Sequence, residues 1–258
     1  MTQLRVVRSE WTKFRSLRST VSTLSVSVIL MIGLGAVFSA VAADEFHTFS
    51  GADQAGFDPI GTSLNGITFA QLAIGVLGVL AISGEYAAGT IHSSLTVVPR
   101  RLPVLWGKVA VFATTVFSVS LISSLISFLL GQALLSSRHL DVAITSTGAL
   151  RAVIGAALYL TAAGMIGIAL GALVRNSAAG ISTFVGVFFV IPPLTNLLPA
   201  SIGRHLTRYL PSNAGTAIYS NGHDLQNSLS SGAGFAVLCA EVTILIGAAA
   251  YRLLRVDA

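Results

Sequence analysis

The most informative side chain in the sequence is a single acid. Glu241 lies near the middle of the apolar run Ala233–Tyr251, where a carboxylate costs about 2.5–3.5 kcal/mol on membrane-insertion scales. A group held there faces a bundle interior, a water-filled cavity or another helix. Two readings follow. Either Glu241 pairs with a cationic group of a transported molecule or with a polar residue across a subunit boundary, or it is protonated and hydrogen-bonded to a neighbour such as Thr243. A second polar set, Ser120, Ser123, Ser124 and Ser127, shares one helical face of the run Val109–Leu135, with Gly131 continuing it. Such small residues let helices approach closely; Ser120, Ser124 and Ser127 are also candidates to line a polar path with Glu241.

Other chemistries lack their residues. There is no His-Glu-x-x-His pair for zinc and no Gly-x-Ser-x-Gly nucleophile elbow. Of the five histidines, His47, His139, His205 and His223 share no spacing, and His92 stands alone. The single Cys239 excludes a disulfide within the chain and has no metal-ligand partner at a useful spacing. The only Gly-Lys pair is Gly107-Lys108. A phosphate-cradling loop needs Gly where Leu102 stands and Ser or Thr where Val109 stands. The chain is therefore expected to be no enzyme, with no metal or cofactor of its own.

The elements that position these groups are membrane spans. Apolar residues make up 53% of the chain and charged residues only 10%, against about 25% charged in soluble domains. Mean hydropathy is +0.81, which excludes a soluble enzyme and a disordered chain. The net charge of +5 reads as topology rather than nucleic-acid binding, because the cations flank apolar runs. Six runs reach the roughly 20 residues a spanning helix needs: Val21–Ala43, Gly66–Ser83, Val109–Leu135, Ala149–Val174, Ala178–Leu198 and Ala233–Tyr251. No alternating barrel strand accompanies them. The fold class is an all-α polytopic membrane protein, with residues 1–258 forming a single transmembrane domain.

Basic residues orient it. Arg5, Arg8, Lys13, Arg15, Arg18, Arg100, Arg101, Lys108, Arg175, Arg252 and Arg255 fall on one side; Arg138, Arg151, Arg204 and Arg208 fall on the other. The positive-inside rule puts both termini in the cytoplasm and the protein in the cell membrane as a multi-pass component. The first run, 23 residues long with Ala40-Val41-Ala42 at its end, exceeds the 7–15 of a secretion signal and is expected to stay as a helix.

Three further segments have tasks other than spanning. In residues 3–18, Leu4, Val7, Trp11 and Phe14 recur at helical spacing among Arg5, Arg8, Lys13, Arg15 and Arg18, which predicts an interfacial helix in the headgroup layer. Between the second and third spans, Ile91, Leu95 and Val98 form a short apolar stripe stopped by Pro99. Ser83 is expected to cap that helix, with Glu85 favourably placed in its first turn. After the fifth span, broken at Pro192-Pro193, the segment 199–232 places Ile202, Leu206 and Tyr209 on one face of a short helix ending at Pro211.

Glu85-Tyr86-Ala87-Ala88-Gly89-Thr90-Ile91, then Leu95, Pro99-Arg100-Arg101 and Gly107-Lys108, resemble the first cytoplasmic loop of ABC-2 type transporter permeases. Glu10-Trp11-Thr12-Lys13-Phe14-Arg15-Ser16 and Leu210-Pro211-Ser212-Asn213-Ala214 are similar to further patterns of that family, as is the six-span layout. The resemblance implies a permease subunit of an exporter for a drug, antimicrobial peptide, lipid or similar amphipathic substrate. Glu85, Tyr86, Gly89, Thr90, Ile91, Leu95, Arg100 and Arg101 would form the coupling helix that meets the ATPase. Trp11, Lys13, Phe14 and Arg15 would belong to the connecting helix on the membrane. The segment 199–232 would fold as short re-entrant helices capping the outer end of the path. ATP and Mg would sit on a separate ABC ATPase chain in two copies. A second permease chain, identical or different, would complete the assembly in the lipid bilayer. The rival readings are a proton-coupled secondary transporter using Glu241 and a non-transporting membrane sensor or anchor.

Overall fold

A backbone stretch surrounded by hydrocarbon must satisfy its own N–H and C=O groups, and the apolar runs do so as helices. The computed structural model describes residues 3–87, 101–195, 197–220 and 229–255, and no strand occurs among them. The helices are α1 (Gln3–Ser16), α2 (Arg18–Glu45), α3 (Gly51–Ala55), α4 (Pro59–Leu64), α5 (Ile67–Ala87), α6 (Arg101–Leu135), α7 (Ala149–Val174), α8 (Ser177–Val185), α9 (Ile191–Thr195), α10 (Ala200–Thr207), α11 (Pro211–Tyr219) and α12 (Ser231–Arg255). Among the described residues six segments are long and apolar enough to cross a membrane: Arg18–Thr48, Pro59–Tyr86, Leu105–Arg138, Ala149–Val174, Ser177–Thr195 and Ser231–Arg255. Each overlaps one of the six apolar runs.

The bundle is built around α7. In its most apolar window 78% of the residues are buried, against 33% in α2 and 28% in α12. Close approach to α5 depends on missing side chains. A Cβ on Gly78 would lie 2.2 Å from the Gly164 carbonyl oxygen, and one on Gly167 would lie 2.4 Å from that of Gly75. Backbone cannot yield at these distances, so the glycines let α5 and α7 pack nearly backbone to backbone. The remaining spans present large apolar side chains outward, such as Ile29, Ile122 and Ile244, where lipid or another chain can cover them.

Two sequence expectations are corrected. Pro192-Pro193 does not end the fifth helix at that point; both prolines lie inside α9, which runs to Thr195. Each proline lacks an N–H, and its ring crowds the carbonyl four residues back. The helix widens into a π-helical stretch over Gly186–Val190 immediately before them, which makes room for those rings. The loop between the first two spans also carries α3 and α4, which the sequence reading left without elements. Asp58 caps α4 by accepting from the Ile60 N–H at 3.1 Å, and Pro59 occupies its first turn. Ile60, Ser63 and Leu64 are buried in the bundle.

The segment after the fifth span is helical, as its apolar spacing predicts, but it holds two helices. Pro211 begins α11 rather than merely ending α10. Asn213 Nδ2 donates back to the Thr207 carbonyl at 2.8 Å, and Thr207 Oγ1 reaches Thr195 Oγ1 at 2.6 Å. These bonds fasten α10 between α9 and α11. Helix α11 then packs on α7 and α12, with Gly215 against the Tyr159 ring.

Candidate functional site

Where α1, α5 and α6 meet, the chain buries a cluster of opposite charges. Glu10 on α1 is only 4% exposed. Its Oε2 lies 2.8 Å from Lys108 Nζ, on the second turn of α6, and its Oε1 lies 3.1 Å from Lys13 Nζ. Lys108 Nζ also donates to Glu85 Oε1 at 2.9 Å, in the last turn of α5. Lys13 approaches the same Glu85 oxygen at 3.8 Å. One ammonium, 12% exposed, thus bridges two carboxylates carried by two other helices. Desolvation pushes the Glu10 carboxyl up, but the charge of Lys108 and the hydrogen bonds from Lys108 and Lys13 together outweigh it, holding the group below the ordinary glutamate value.

The neighbouring residues orient this cluster. A bend at Leu17, which is extended (φ −78°, ψ 114°), separates α1 from α2. It lets α1 lie across the bundle. The Phe14 ring meets Phe112 of α6 edge-on at 5.9 Å. Glu10 and Phe14, one helical turn apart, are the residues α1 turns toward the bundle, while Val7, Trp11 and Leu17 are exposed. Of the apolar stripe seen in the sequence, Val7 and Trp11 therefore face outward, whereas Phe14 packs against the bundle. Arg15 is exposed on the same helix.

The end of α5 is also tied to the turn between α7 and α8. The Arg175 guanidinium sits 5.0 Å over the Tyr86 ring, and Ser83 Oγ lies 2.9 Å from Ser177 Oγ. Ser83 is not an N-cap. It lies within α5, which continues to Ala87, and its hydroxyl donates to the Val79 carbonyl at 2.8 Å. The Glu85 and Tyr86 side chains accordingly belong to the end of the second span rather than to a separate helix. Gly89, Thr90, Ile91, Leu95 and Arg100 of the expected coupling helix lie outside the described residues. Arg101 opens α6.

The other candidates are placed apart from this cluster. Glu241 is on α12, and its Oε2 is buried with no hydrogen-bond partner among the described residues. Thr243 is not its neighbour in a hydrogen bond, since Thr243 Oγ1 donates to the Cys239 carbonyl at 2.7 Å. Facing α12, Tyr159 of α7 donates to Gln71 Oε1 of α5 and packs 5.6 Å from the Tyr219 ring. Ser120, Ser124 and Ser127 are buried between helices of the same chain. Ser124 Oγ donates to the Val153 carbonyl at 3.1 Å, and Ser127 Oγ contacts the carbonyls of Met31 at 3.0 Å and Ser63 at 2.7 Å. These hydroxyls fasten helices, and they do not join Glu241 along one open surface.

Two members of the charge cluster escaped assignment from sequence: Glu10 appeared there only inside a short pattern, and Lys108 only in such a pattern and as one of the basic residues that set topology. A signal for Glu10 did exist. It is the sole acid in a helix otherwise rich in Arg and Lys, and it is one turn from Phe14. Among the described residues no group of His, Cys, Asp or Glu is arranged to hold a metal.

No curated protein matches this sequence significantly. A family model described as ABC-2 family transporter protein matches residues 6–195, an interval that holds most of α1, the charge cluster and five of the six spanning segments found among the described residues. With that match over most of its length, the chain belongs to the ABC-2 transporter family.

Proposed function

We propose that this chain is the permease subunit of an ATP-driven exporter, working with a separate ABC ATPase and a second permease chain. Residues 1–258 would form one transmembrane domain in the cell membrane, with both termini cytoplasmic. The observation that carries this reading is the Glu10–Lys108–Glu85 cluster. Glu85 and Lys108 stand just before and just after residues 88–100, so a push on that segment reaches both flanking helices and, through Glu10, α1. A motor docked there would bias the bundle between two packings, each favoured by one nucleotide state. ATP and Mg would stay on the motor, because Gly107-Lys108 lacks the flanking residues of a phosphate loop. The substrate class is a drug, antimicrobial peptide, lipid or other amphipathic compound, which the outward apolar faces of the spans suit.

The test is reconstitution with the cognate ATPase in vesicles. Replacing Ile91 and Leu95 by Asp is expected to leave ATP hydrolysis running while substrate flux falls at least tenfold. Cysteine-accessibility labelling that placed residues 85–101 outside the cell would refute the reading.

One observation favours a second reading. A buried oxygen such as that of Glu241, which has no hydrogen-bond partner among the described residues, is what a proton-coupled carrier needs, and such a carrier would keep transporting without ATP. Flux that survives removal of the ATPase but stops when the proton gradient collapses, and is lost in Glu241→Gln, would establish it.

A further inference from the structure

Beside the charge cluster lies a cavity of about 630 Å³, within the roughly 300–1,000 Å³ typical of ligand sites. It occupies the elbow between α1 and α2. Its apolar walls are Phe14, Leu17, Leu80 and Val111, and its polar side carries Glu10, Lys13, Glu85 and Lys108. The hydroxyl side chains of Ser16, Ser19 and Thr20 line its α1–α2 edge.

We propose that this cavity is a binding site for a glycerophospholipid, with a phosphate-bearing headgroup at Lys13 and an acyl chain against Leu17, Leu80 and Val111. Three observations select this occupant. First, the cavity is bordered by exposed apolar side chains: Leu17 is 54% exposed, the adjacent Val21 53% and Leu80 38%. Whatever surrounds a spanning bundle at that height enters without leaving the membrane. Second, the lining is amphipathic in the same sense as a lipid at headgroup depth, with Phe14, Leu17, Leu80 and Val111 on one side and Glu10, Lys13, Glu85 and Lys108 on the other. Third, the charges are graded. Lys108, 12% exposed, is enclosed between the two carboxylates, whereas Lys13 is 45% exposed at the rim. Arg15 and Arg18, exposed beside the elbow, add to the cationic edge. An arriving headgroup therefore meets positive charge first, which selects phosphate.

A lipid seated there would touch α1, α2, α5 and α6 together. It would thus fill the corner across which the Glu10–Lys108 contact reaches, and lipid composition would set how firmly α1 is held. This inference concerns only the side of the elbow and stands whether or not the transport reading holds.

The test is native mass spectrometry of the full chain released from nanodiscs of phosphatidylcholine containing phosphatidylglycerol. One phosphatidylglycerol should be retained per protomer. Gly84 lines the cavity, and a Cβ there would meet nothing within 4 Å. Gly84→Leu therefore fills the space without a backbone clash and should cut retention about tenfold. Lys13→Gln should weaken it about fivefold, the worth of one lysine at an anionic lipid surface. Gly33→Leu, at an equally open position on α2, should leave retention unchanged. Should Gly84→Leu lose its helical circular dichroism, Ala81→Phe fills the same cavity. Retention that is equal in wild type and a folded cavity-filled variant would overturn the proposal. Displacement of the lipid by inorganic phosphate alone would overturn it as well, since the site would then read a free anion.

Discussion

The two ends of this bundle bury polar groups in opposite ways. At the end bearing Glu85, the buried groups include a charged cluster that joins a peripheral helix, α1, to the flanks of residues 88–100. At the opposite end they are neutral. Ser127 bonds the carbonyls of Met31 and Ser63. Gln132 Nε2 donates to Ser63 Oγ at 2.7 Å and to the Pro59 carbonyl at 2.9 Å, while its Oε1 accepts from the Val142 N–H at 2.8 Å. Glycines tighten the same knot: a Cβ on Gly35 would sit 2.2 Å from Ser127 Oγ and 2.5 Å from the Ser63 carbonyl oxygen. Neutral bonds to backbone carbonyls in a sterically closed space permit one arrangement. Long charged side chains at a solvent-bordered elbow can lengthen, exchange partners or admit water. On the transport reading, the neutral end would be the fixed frame and the charged end the part that transmits movement.

The largest effect expected from breaking this contrast is at Lys108. Lys108→Met leaves the buried Glu10 carboxylate and the partly buried Glu85 carboxylate with only the half-exposed Lys13 beside them, and removing one partner of a buried ion pair typically costs about 3–5 kcal/mol. The variant should unfold at much lower denaturant in mixed micelles. The triple variant Glu10→Gln, Glu85→Gln, Lys108→Met removes every buried charge at once and should recover most of that loss, because replacing a whole buried ionic group is often neutral. On the transport reading, it should nevertheless fail to link ATP hydrolysis to flux. Full coupling in the triple variant would show that the charges serve stability alone.

A smaller effect is expected at the neutral end. Gln132→Leu removes three hydrogen bonds but no charge, and interhelical bonds of this kind in membranes average about 0.6 kcal/mol each, with a maximum near 1.7. A loss of about 1–2 kcal/mol in the same micelle assay, with coupling intact in the folded fraction, fits a frame. Loss of coupling at unchanged stability would erase the distinction between the two ends.

The contrast also explains what could be read from sequence. Six apolar runs of about 20 residues leave the backbone no alternative to helices, so the spans were legible and their ends only loosely so. The fifth span shows the limit: whether two prolines stop a helix depends on a π turn that the local residues merely permit. The frame was illegible for another reason. Ser63 meets Ser127 and Gln132 across 64 and 69 residues of sequence, and α4 has only six residues, too short to announce itself by periodicity. In the charge cluster Glu85 was legible through its loop pattern, but its partner Lys108 was not, because a lysine at a span boundary looks like any topology signal. Ser83 was misread for a related cause: a serine near a polar boundary caps a helix only if the preceding helix has ended, and α5 had not.

The smallest expected effect is the most specific to the charged end. Because its partners hold the Glu10 carboxyl below its ordinary value, about 4.3 when unperturbed, the bound state prefers the ionised form. The sign follows from proton uptake: undocked Glu10 binds its proton at higher pH than docked Glu10 does. The contribution to docking of α1 is thus fully present above the unperturbed value, constant through neutrality, and lost as pH falls through the lowered one. With Trp106 replaced by Phe, Trp11 is the only indole in the chain, and it lies next to Glu10 on α1. Its emission in micelles should stay flat from pH 8 to about 5 and shift only in stronger acid, and Glu10→Gln should remove that step. The Gln132 end carries no ionised group in its bonds, so Glu10→Gln should leave the response of a probe beside Val142 unchanged over the same range. A transition at Trp11 centred above about 4.3 would reverse the sign and mean that desolvation of Glu10, not its lysines, governs how α1 is held.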